Sequence, residues 1–316
     1  MTSSASAPGS SVPSVALPPV STGSVNPAIA DLLSILDLER LEDNLYRGTS
    51  PRDGWQRVFG GQVIGQALVA ATRTAPADRA VHSLHCYFVL PGDPAVPIIY
   101  KVDLIRDGGS FSTRHVEAIQ HGKTIFTLSA SFHREEAGLN YQSPMPKVPD
   151  PDDCPDKDLP TADLLQQLPE RIRAYFERER PLQLRAADIT RFLPAAPEDR
   201  KNTFNVWIRA SSRLPDDPAI HRCVLAYASD LTLLDTSLAI HGRSLFDGGI
   251  QSASLDHAMW FHHPFRADEW LLYSQESPFS GNGRGLSRGM IFSRDGTHIA
   301  TVAQEGLIRL LRPTTP

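Results

Sequence analysis

Apolar positions recur at helical spacing in two segments of the first 73 residues. In residues 31–42 they are Leu32, Leu33, Ile35, Leu36, Leu38 and Leu41, which predicts a short amphipathic helix. Residues 59–73 (FGGQVIGQALVAATR) predict a second helix with one apolar face. Gly65 within it costs about 1 kcal/mol relative to alanine. This glycine either permits close contact with another backbone or is an ordinary surface position.

Four segments that follow have the composition and spacing of β-strands. They span residues 82–89, 97–105, 110–120 and 124–134, and His121-Gly122 supplies the turn between the last two. The next stretch, residues 143–160, contains six prolines and several aspartates, which predicts a linker with no helix or central strand. Residues 162–179 then predict a charged helix, and strands and helices resume at Thr203.

The second half of the chain repeats the first. An offset of 174 residues places Thr113-Arg114 on Ser287-Arg288 without a gap, and FGGQ at 59–62 falls on YASD at 227–230. Few residues are identical, so the repeat rests mainly on element order. Each half has one long apolar helix and four or five long strands. This predicts an α+β fold in which a helix is wrapped by a curled antiparallel sheet, present twice.

Composition and charge argue against several classes of function and of cellular location for this chain. The 316 residues carry a net charge of −5, which argues against a dedicated nucleic-acid partner. Three widely spaced cysteines, Cys86, Cys154 and Cys223, argue against disulfides and favour a cytoplasmic location. No apolar run is long enough to span a membrane. Residues 1–30 are rich in Ser, Pro and Ala with no charged side chain, which predicts a disordered tail.

The four predicted regions are therefore the tail at 1–30, a first unit at 31–137, a linker with a charged helix at 138–180, and a second unit at 181–316. None of the common nucleotide-binding, nucleophile-elbow or zinc-protease motifs is present. The histidines lack metal-site spacing, so no metal is expected.

Polar residues at apolar positions are the candidates for chemistry. The segment CVLAYASDLTLLDTSLAI predicts a helix in the second half that is apolar nearly all round and therefore buried. Asp230 lies within it, where its carboxylate is either a functional group or a helix cap. Gln304 shares the apolar face of the last strand and is either functional or a core amide bonded to backbone. Ser254 opens the strand SLDHAMWFHH, and Asp256 and His257 beside it are rival catalytic candidates. Strand alternation predicts that Asp256 shares the face of Ser254 and that His257 lies on the other.

A glycine-rich segment, NGRGLSRG, carries Arg284 and Arg288. Glycines with arginines can hold a phosphate. A flexible hairpin loop with solvated arginines explains the segment equally well.

Several blocks in order resemble the type II acyl-CoA thioesterase (TesB-like) family over residues 38–312. They are LYRG (45–48), FGGQVIGQAL (59–68), HSLHCYFVLPGD (82–93), VLAYASDL (224–231), SLDHAMWFHHPFRADEWLLY (254–273), RGLSRG (284–289) and AQEGLIR (303–309). The resemblance implies a double hotdog fold, in agreement with the internal repeat. It also implies hydrolysis of fatty acyl-CoA to fatty acid and CoA without a cofactor.

The resemblance also implies a site. The family's Asp, Thr or Ser, and Gln fall on Asp230, Ser254 and Gln304, whereas the first half has Gln62 and Ala130 in place of the Asp and Gln. One site per chain, in the second unit, is therefore expected. Gly60 and Gly61 are the candidate oxyanion donors, and Arg284 and Arg288 are candidates for binding the CoA phosphates.

Family members suggest a homo-oligomer, either a dimer or a tetramer. Two other functions stay open for this fold: a hotdog enoyl-CoA hydratase, and a non-catalytic acyl-CoA-binding protein. The D-x-N-x-x-H run typical of the hydratase is absent.

Overall fold

A computed structural model describes residues 26–51, 56–154, 166, 173, 179–188, 196–245 and 249–311. The predicted tail up to residue 25 and nearly all of the predicted charged helix at 162–179 lie outside the described residues.

In its described residues, the first half contains two helices and six strands. The helices are α1 (Pro27–Leu36) and α2 (Gly60–Arg73), and the strands are β1 (Glu39–Glu42), β2 (Leu45–Gly48), β3 (Ala80–Phe88), β4 (Ile98–Asp107), β5 (Phe111–Gln120) and β6 (Lys123–His133). The predicted helix over 31–42 is wrong at both ends. Asn26 caps α1, since its side chain accepts the Ala28 N–H at 2.8 Å, and so residues 27–30 belong to the helix and not to the tail. Residues 39–42 form a strand.

The second half contains two α-helices, a short 3₁₀ helix (Pro197–Asp199) and seven strands in its described residues. The helices are α3 (Pro218–Ser229) and α4 (Leu233–Ala239), and the strands are β7 (Leu182–Ala186), β8 (Thr203–Ala210), β9 (Ile250–Ser254), β10 (Asp256–Phe261), β11 (Leu271–Gly281), β12 (Arg284–Ser293) and β13 (His298–Leu310). The prediction of one continuous apolar helix is wrong, because α3 ends with Asp230 as its C-cap. The break places Asp230 between two helices.

All strands of the described residues join one antiparallel sheet whose order reads the same from both ends. The order is β1-β2-β4-β5-β6-β3-β10-β13-β12-β11-β8-β7, with β9 paired to β13. At its centre His85 lies opposite Ala258, Leu84 opposite Met259, and Cys86 opposite His257. Exchange of the two halves preserves this register, as a pseudo-two-fold axis would. The double hotdog fold and the internal repeat are therefore confirmed.

Each half of the sheet wraps its own helix. In the first half α2 packs against β2, β3, β4, β5 and β6, and in the second half α4 packs against β8, β11, β12 and β13. A helix plus a curled sheet is thus the unit that is repeated.

The gapless alignment of the repeat is wrong by one residue on one strand. Tyr100 lies opposite Ala118 in the first half, and Tyr273 lies opposite Ile291 in the second, which is an offset of 173. Strand positions therefore match Arg114 with Ser287. Both are buried, whereas Arg288 is exposed. The turn after β12 is longer than His121-Gly122, and this restores the 174-residue offset on the last strand.

The proline-rich linker, as far as residue 154, packs on the outer surface of the second half. Trp207 Nε1 donates to Pro149 O at 2.9 Å, and Gln142 exchanges hydrogen bonds with the backbone of Gly296 and His298. Met145, Val148 and Cys154 join a small second core with Trp207 and its neighbours. The linker therefore contributes to the packing of the second unit.

Candidate active site

Glycines let the beginning of α2 approach the end of α3. A Cβ atom on Gly61 would lie 2.2 Å from Tyr227 O, and one on Gly65 would lie 3.4 Å from Cys223 O. Successive turns of α2 thus meet α3 in reverse order, so the two helices are antiparallel. Gly65 marks the close approach of two backbones. At Gly60 the neighbour is a side chain, since its Cβ would lie 2.5 Å from Asp230 Oδ2.

Asp230 is therefore surrounded by elements from both halves. The Gly61 N–H, at the start of α2, hydrogen-bonds its carboxylate. Burial raises the pKa of Asp230 to about 6, and the hydrogen bonds from Gln304, Gly61 and Ser254 oppose that rise. A carboxylate with this pKa is ionised near neutral pH and is a better proton acceptor than an exposed aspartate.

Gln304 connects the other two predicted residues. Its Nε2 donates to Asp230 Oδ1 at 2.8 Å and to Ser254 Oγ at 2.7 Å. Ser254 Oγ lies 3.4 Å from the same Asp230 oxygen. The structure thus brings Asp230, Ser254 and Gln304 into one cluster at the ends of α3, β9 and on β13.

His257 completes the cluster from the other side. Its Nδ1 lies 3.1 Å from Gln304 Oε1, and its Nε2 lies 2.9 Å from Ser229 Oγ. The ring is 1% exposed, and burial lowers the pKa of His257 to about 4, so the imidazole is neutral. The Cys86 thiol donates to the His257 carbonyl at 3.2 Å, which ties this strand to the first half.

The face assignment for Asp256 and His257 needs correction. Ser254 ends β9 and Asp256 begins β10, so Leu255 interrupts the alternation that the prediction assumed. Asp256 instead accepts the Glu305 backbone N–H at 2.8 Å. Within β10 alone, His257 alternates with the buried Met259 and Phe261, and this pattern in the sequence could have indicated its burial.

Arg284 and Arg288 lie on the outer face of β12, away from this cluster. Arg284 Nε is 2.9 Å from Glu305 Oε1, and Arg288 Nε is 2.5 Å from Glu276 Oε1. Their segment is a strand after an Asn282-Gly283 turn, in which both residues have positive φ. Phosphate binding by these arginines stays a prediction that the ion pairs do not favour.

The described part of the chain has no group of three or more His, Cys, Asp or Glu side chains placed to hold a metal ion. In the same residues, no helix is long and apolar enough to cross a membrane.

Comparison with known proteins assigns the family. Residues 173–307 match the family described as acyl-CoA thioesterase, and residues 50–133 match the acyl-CoA thioesterase N-terminal domain. This chain belongs to the acyl-CoA thioesterase family. The resemblance inferred from the sequence blocks is thereby confirmed, and the family is one of hydrolases.

Individual relatives span nearly the same region. "Acyl-CoA thioesterase 2" of Haemophilus influenzae is 41% identical over 288 residues, covering 88% of this chain and 97% of its own. "Acyl-coenzyme A thioesterase 8" of Mus musculus is 44% identical, covering 88% of each chain. The crystal structure of acyl-CoA thioesterase II TesB2 from Mycobacterium marinum is 44% identical with a TM-score of 0.73, covering 88% of this chain and 98% of that one.

Proposed function

We propose that this chain hydrolyses fatty acyl-CoA to fatty acid and CoA, and that Asp230, Ser254 and Gln304 orient and activate the attacking water. The observation that carries the proposal is the hydrogen bonding of one amide to both other groups: Gln304 Nε2 donates to Asp230 Oδ1 and to Ser254 Oγ. The membership of the chain in the thioesterase family supports the substrate class.

The hydrogen-bond directions define a role for each group. Gln304 donates one Nε2 proton to Asp230 and the other to Ser254. Asp230 and Ser254 therefore each keep a lone pair that can accept a hydrogen bond from a further donor. A water molecule that donates one proton to Asp230 and the other to Ser254 Oγ turns an oxygen lone pair towards the thioester carbonyl. Asp230 is then the general base, and Ser254 fixes the water's orientation.

The reaction balances without a covalent enzyme intermediate. The water oxygen bonds to the carbonyl carbon while its proton passes to Asp230, which gives a tetrahedral oxyanion. The carbon–sulfur bond then breaks, the fatty acid forms, and the proton on Asp230 neutralises the departing CoA thiolate. Backbone N–H groups are the expected oxyanion donors. Gly61 donates to Asp230, so of the predicted pair Gly60 remains the proposed donor.

The proposal also includes a cellular location and an oligomeric state. The cytoplasm is the proposed location because Cys86, Cys154 and Cys223 are free thiols, which fits a reducing compartment. A homo-oligomer, dimer or tetramer, stays a prediction from the family resemblance.

The decisive experiment pairs two aspartates that lie close in the fold. We expect Asp230→Asn to lower kcat for acyl-CoA hydrolysis about 10²-fold or more, because it removes the proton acceptor and keeps the shape. Asp256→Asn is the matched control, since an amide oxygen can still accept the Glu305 N–H. The measurement is release of the CoA thiol from acyl-CoAs of several chain lengths. An active Asp230→Asn beside an inactive Asp256→Asn would show that the base is misassigned.

A further inference from the structure

His257 is a buried polar residue, and the proposed mechanism of thioester hydrolysis assigns it no direct role. Its ring contacts Gln304 on one side and Ser229 on the other. The equivalent position in the first half, 173 residues earlier, is Leu84, which is also buried. A leucine fills the equivalent position in the first half, so packing alone does not require a histidine there.

The direction of each hydrogen bond follows from the carboxylate. Gln304 presents Nε2 to Asp230 Oδ1 at 2.8 Å. The reversed amide would place Oε1 against an ionised carboxylate with no proton between the two oxygens, which is repulsive. Gln304 Oε1 therefore faces His257 Nδ1 at 3.1 Å and must accept a hydrogen bond from an Nδ1–H group.

This acceptor fixes the tautomer of the imidazole. A neutral histidine has one N–H and one lone pair, so a proton on Nδ1 leaves Nε2 as an acceptor. Nε2 lies 2.9 Å from Ser229 Oγ, whose hydroxyl is the donor that it needs. The same hydroxyl lies 2.9 Å from Ala226 O, an alternative acceptor for its single proton.

We propose that His257 is a positioning residue that holds the Gln304 amide with both of its protons towards Asp230 and Ser254. The hydrogen bonds then run in one direction, from Ser229 to His257, to Gln304, and to the two groups around the water. This inference rests on the proposed roles of Asp230, Ser254 and Gln304. Without the Nδ1–H donor, the Gln304 amide loses the partner that the described residues give its Oε1 and can rotate away from the productive orientation.

Two substitutions separate this role from simple packing. In His257→Asn the amide nitrogen reaches the place of Nδ1, so a donor to Gln304 remains. In His257→Gln the longer side chain carries its amide towards the place of Nε2, so the donor to Gln304 is lost. We expect kcat within about threefold of the parent for the Asn variant and a loss of about tenfold for the Gln variant, with KM unchanged in both.

A double variant measures whether the effect passes through Gln304. In the Gln304→Ala background, His257→Gln should lower kcat by less than about twofold further, because the amide that it positions is absent. Full additivity of the two losses, or a fully active His257→Gln enzyme, would overturn the proposal.

The outcomes also distinguish this proposal from the one on which it depends. If Gln304→Ala retains full turnover, the catalytic cluster itself is misassigned. If Gln304→Ala is impaired and His257→Gln is not, only the role of His257 is wrong.

A direct measurement covers the case in which His257→Gln fails to fold. ¹⁵N NMR of the histidine-labelled wild-type protein, with the His257→Asn spectrum for assignment, reports which ring nitrogen carries the proton. We expect the neutral Nδ1–H tautomer at pH 7. The Nε2–H tautomer would contradict the proposal.

Discussion

The two halves place different residues at the same positions of the same sheet. In the first half Leu84 on β3 lies opposite Ala130 on β6. The equivalent residues of the second half, His257 on β10 and Gln304 on β13, share a hydrogen bond. All four are buried. The fold therefore accepts apolar side chains at both positions. A polar pair costs more free energy to bury, so its presence in the second half indicates a chemical role there.

The helices differ in the same way. Gln62 near the start of α2 is neutral, and its Nε2 donates to Ser50 Oγ at 2.9 Å and to Thr49 O at 3.2 Å. Its counterpart by the repeat, Asp230, carries a charge whose burial raises its pKa. The first half thus has a neutral amide where the second has a buried carboxylate, although Gly60 of the first half lies against Asp230.

After Asp230→Asn, the largest effects in the second half should come from Ser254 and Gln304, the two residues proposed to orient the water. We expect Ser254→Ala and Gln304→Ala each to lower kcat about tenfold, because each removes an orienting contact and leaves the proton acceptor. The double variant should lose clearly less than the product of the single losses, since Gln304 acts partly through Ser254. Ser252→Ala, two residues earlier on β9, is the control and should retain its turnover. Strictly multiplicative losses would show that the two residues act separately.

The pH profile should report the charge that only the second half carries. Because the pKa of Asp230 is about 6 and the ionised form is the base, kcat should fall about tenfold for each pH unit below that value. The remaining turnover of Asp230→Asn should lack this inflection.

The raised pKa also predicts a change in stability. The proton on Asp230 stabilises the folded state below pH 4, and this contribution is lost as pH rises through about 6. Asp230→Asn should therefore gain stability relative to the parent across that interval, measured by urea unfolding. If the difference in unfolding free energy between Asp230→Asn and the parent is the same at pH 4 and at pH 7, the raised pKa of Asp230 is contradicted.

A smaller effect should come from Gly60, the residue of the first half that lies against Asp230. In Gly60→Ala the new Cβ would lie 2.5 Å from Asp230 Oδ2, so the carboxylate must move, and we expect kcat to fall several-fold. Gly65→Ala is the control in the same helix, because its nearest contacts are a flexible leucine side chain at 3.0 Å and a carbonyl at 3.4 Å. Equal losses for the two variants would indicate that helix packing, and not contact with Asp230, is the cause.

Local periodicity predicted the repeated unit because the apolar faces of the strands and of α2 are continuous. It failed where two elements meet. The break after Ser229 and the one at Leu255 are set by tertiary packing, and no glycine or proline marks either of them in the sequence. For this reason strand alternation predicts the wrong face for His257.

The candidate site could be predicted only in part. Asp230, Ser254 and Gln304 were found because a family resemblance named them and because two of them interrupt apolar faces. The contact between Gly60 and Asp230 joins residues from different halves, and no pattern along one chain segment reports it.

The smallest effect should come from the polar residue of the first half. Gln62→Asn shortens an amide that donates to Ser50 Oγ and Thr49 O, so the folded state should lose about 1 kcal/mol. We expect kcat and KM to stay within about twofold of the parent, since the hydrogen bonds of Gln62 in the described residues go to Thr49, Ser50 and Gln66 and not to the cluster around Asp230. Urea unfolding and acyl-CoA hydrolysis on the same preparation measure both quantities. A tenfold loss of kcat in a stable Gln62→Asn protein would mean that the first half also takes part in turnover, and the contrast between the two halves would then fail.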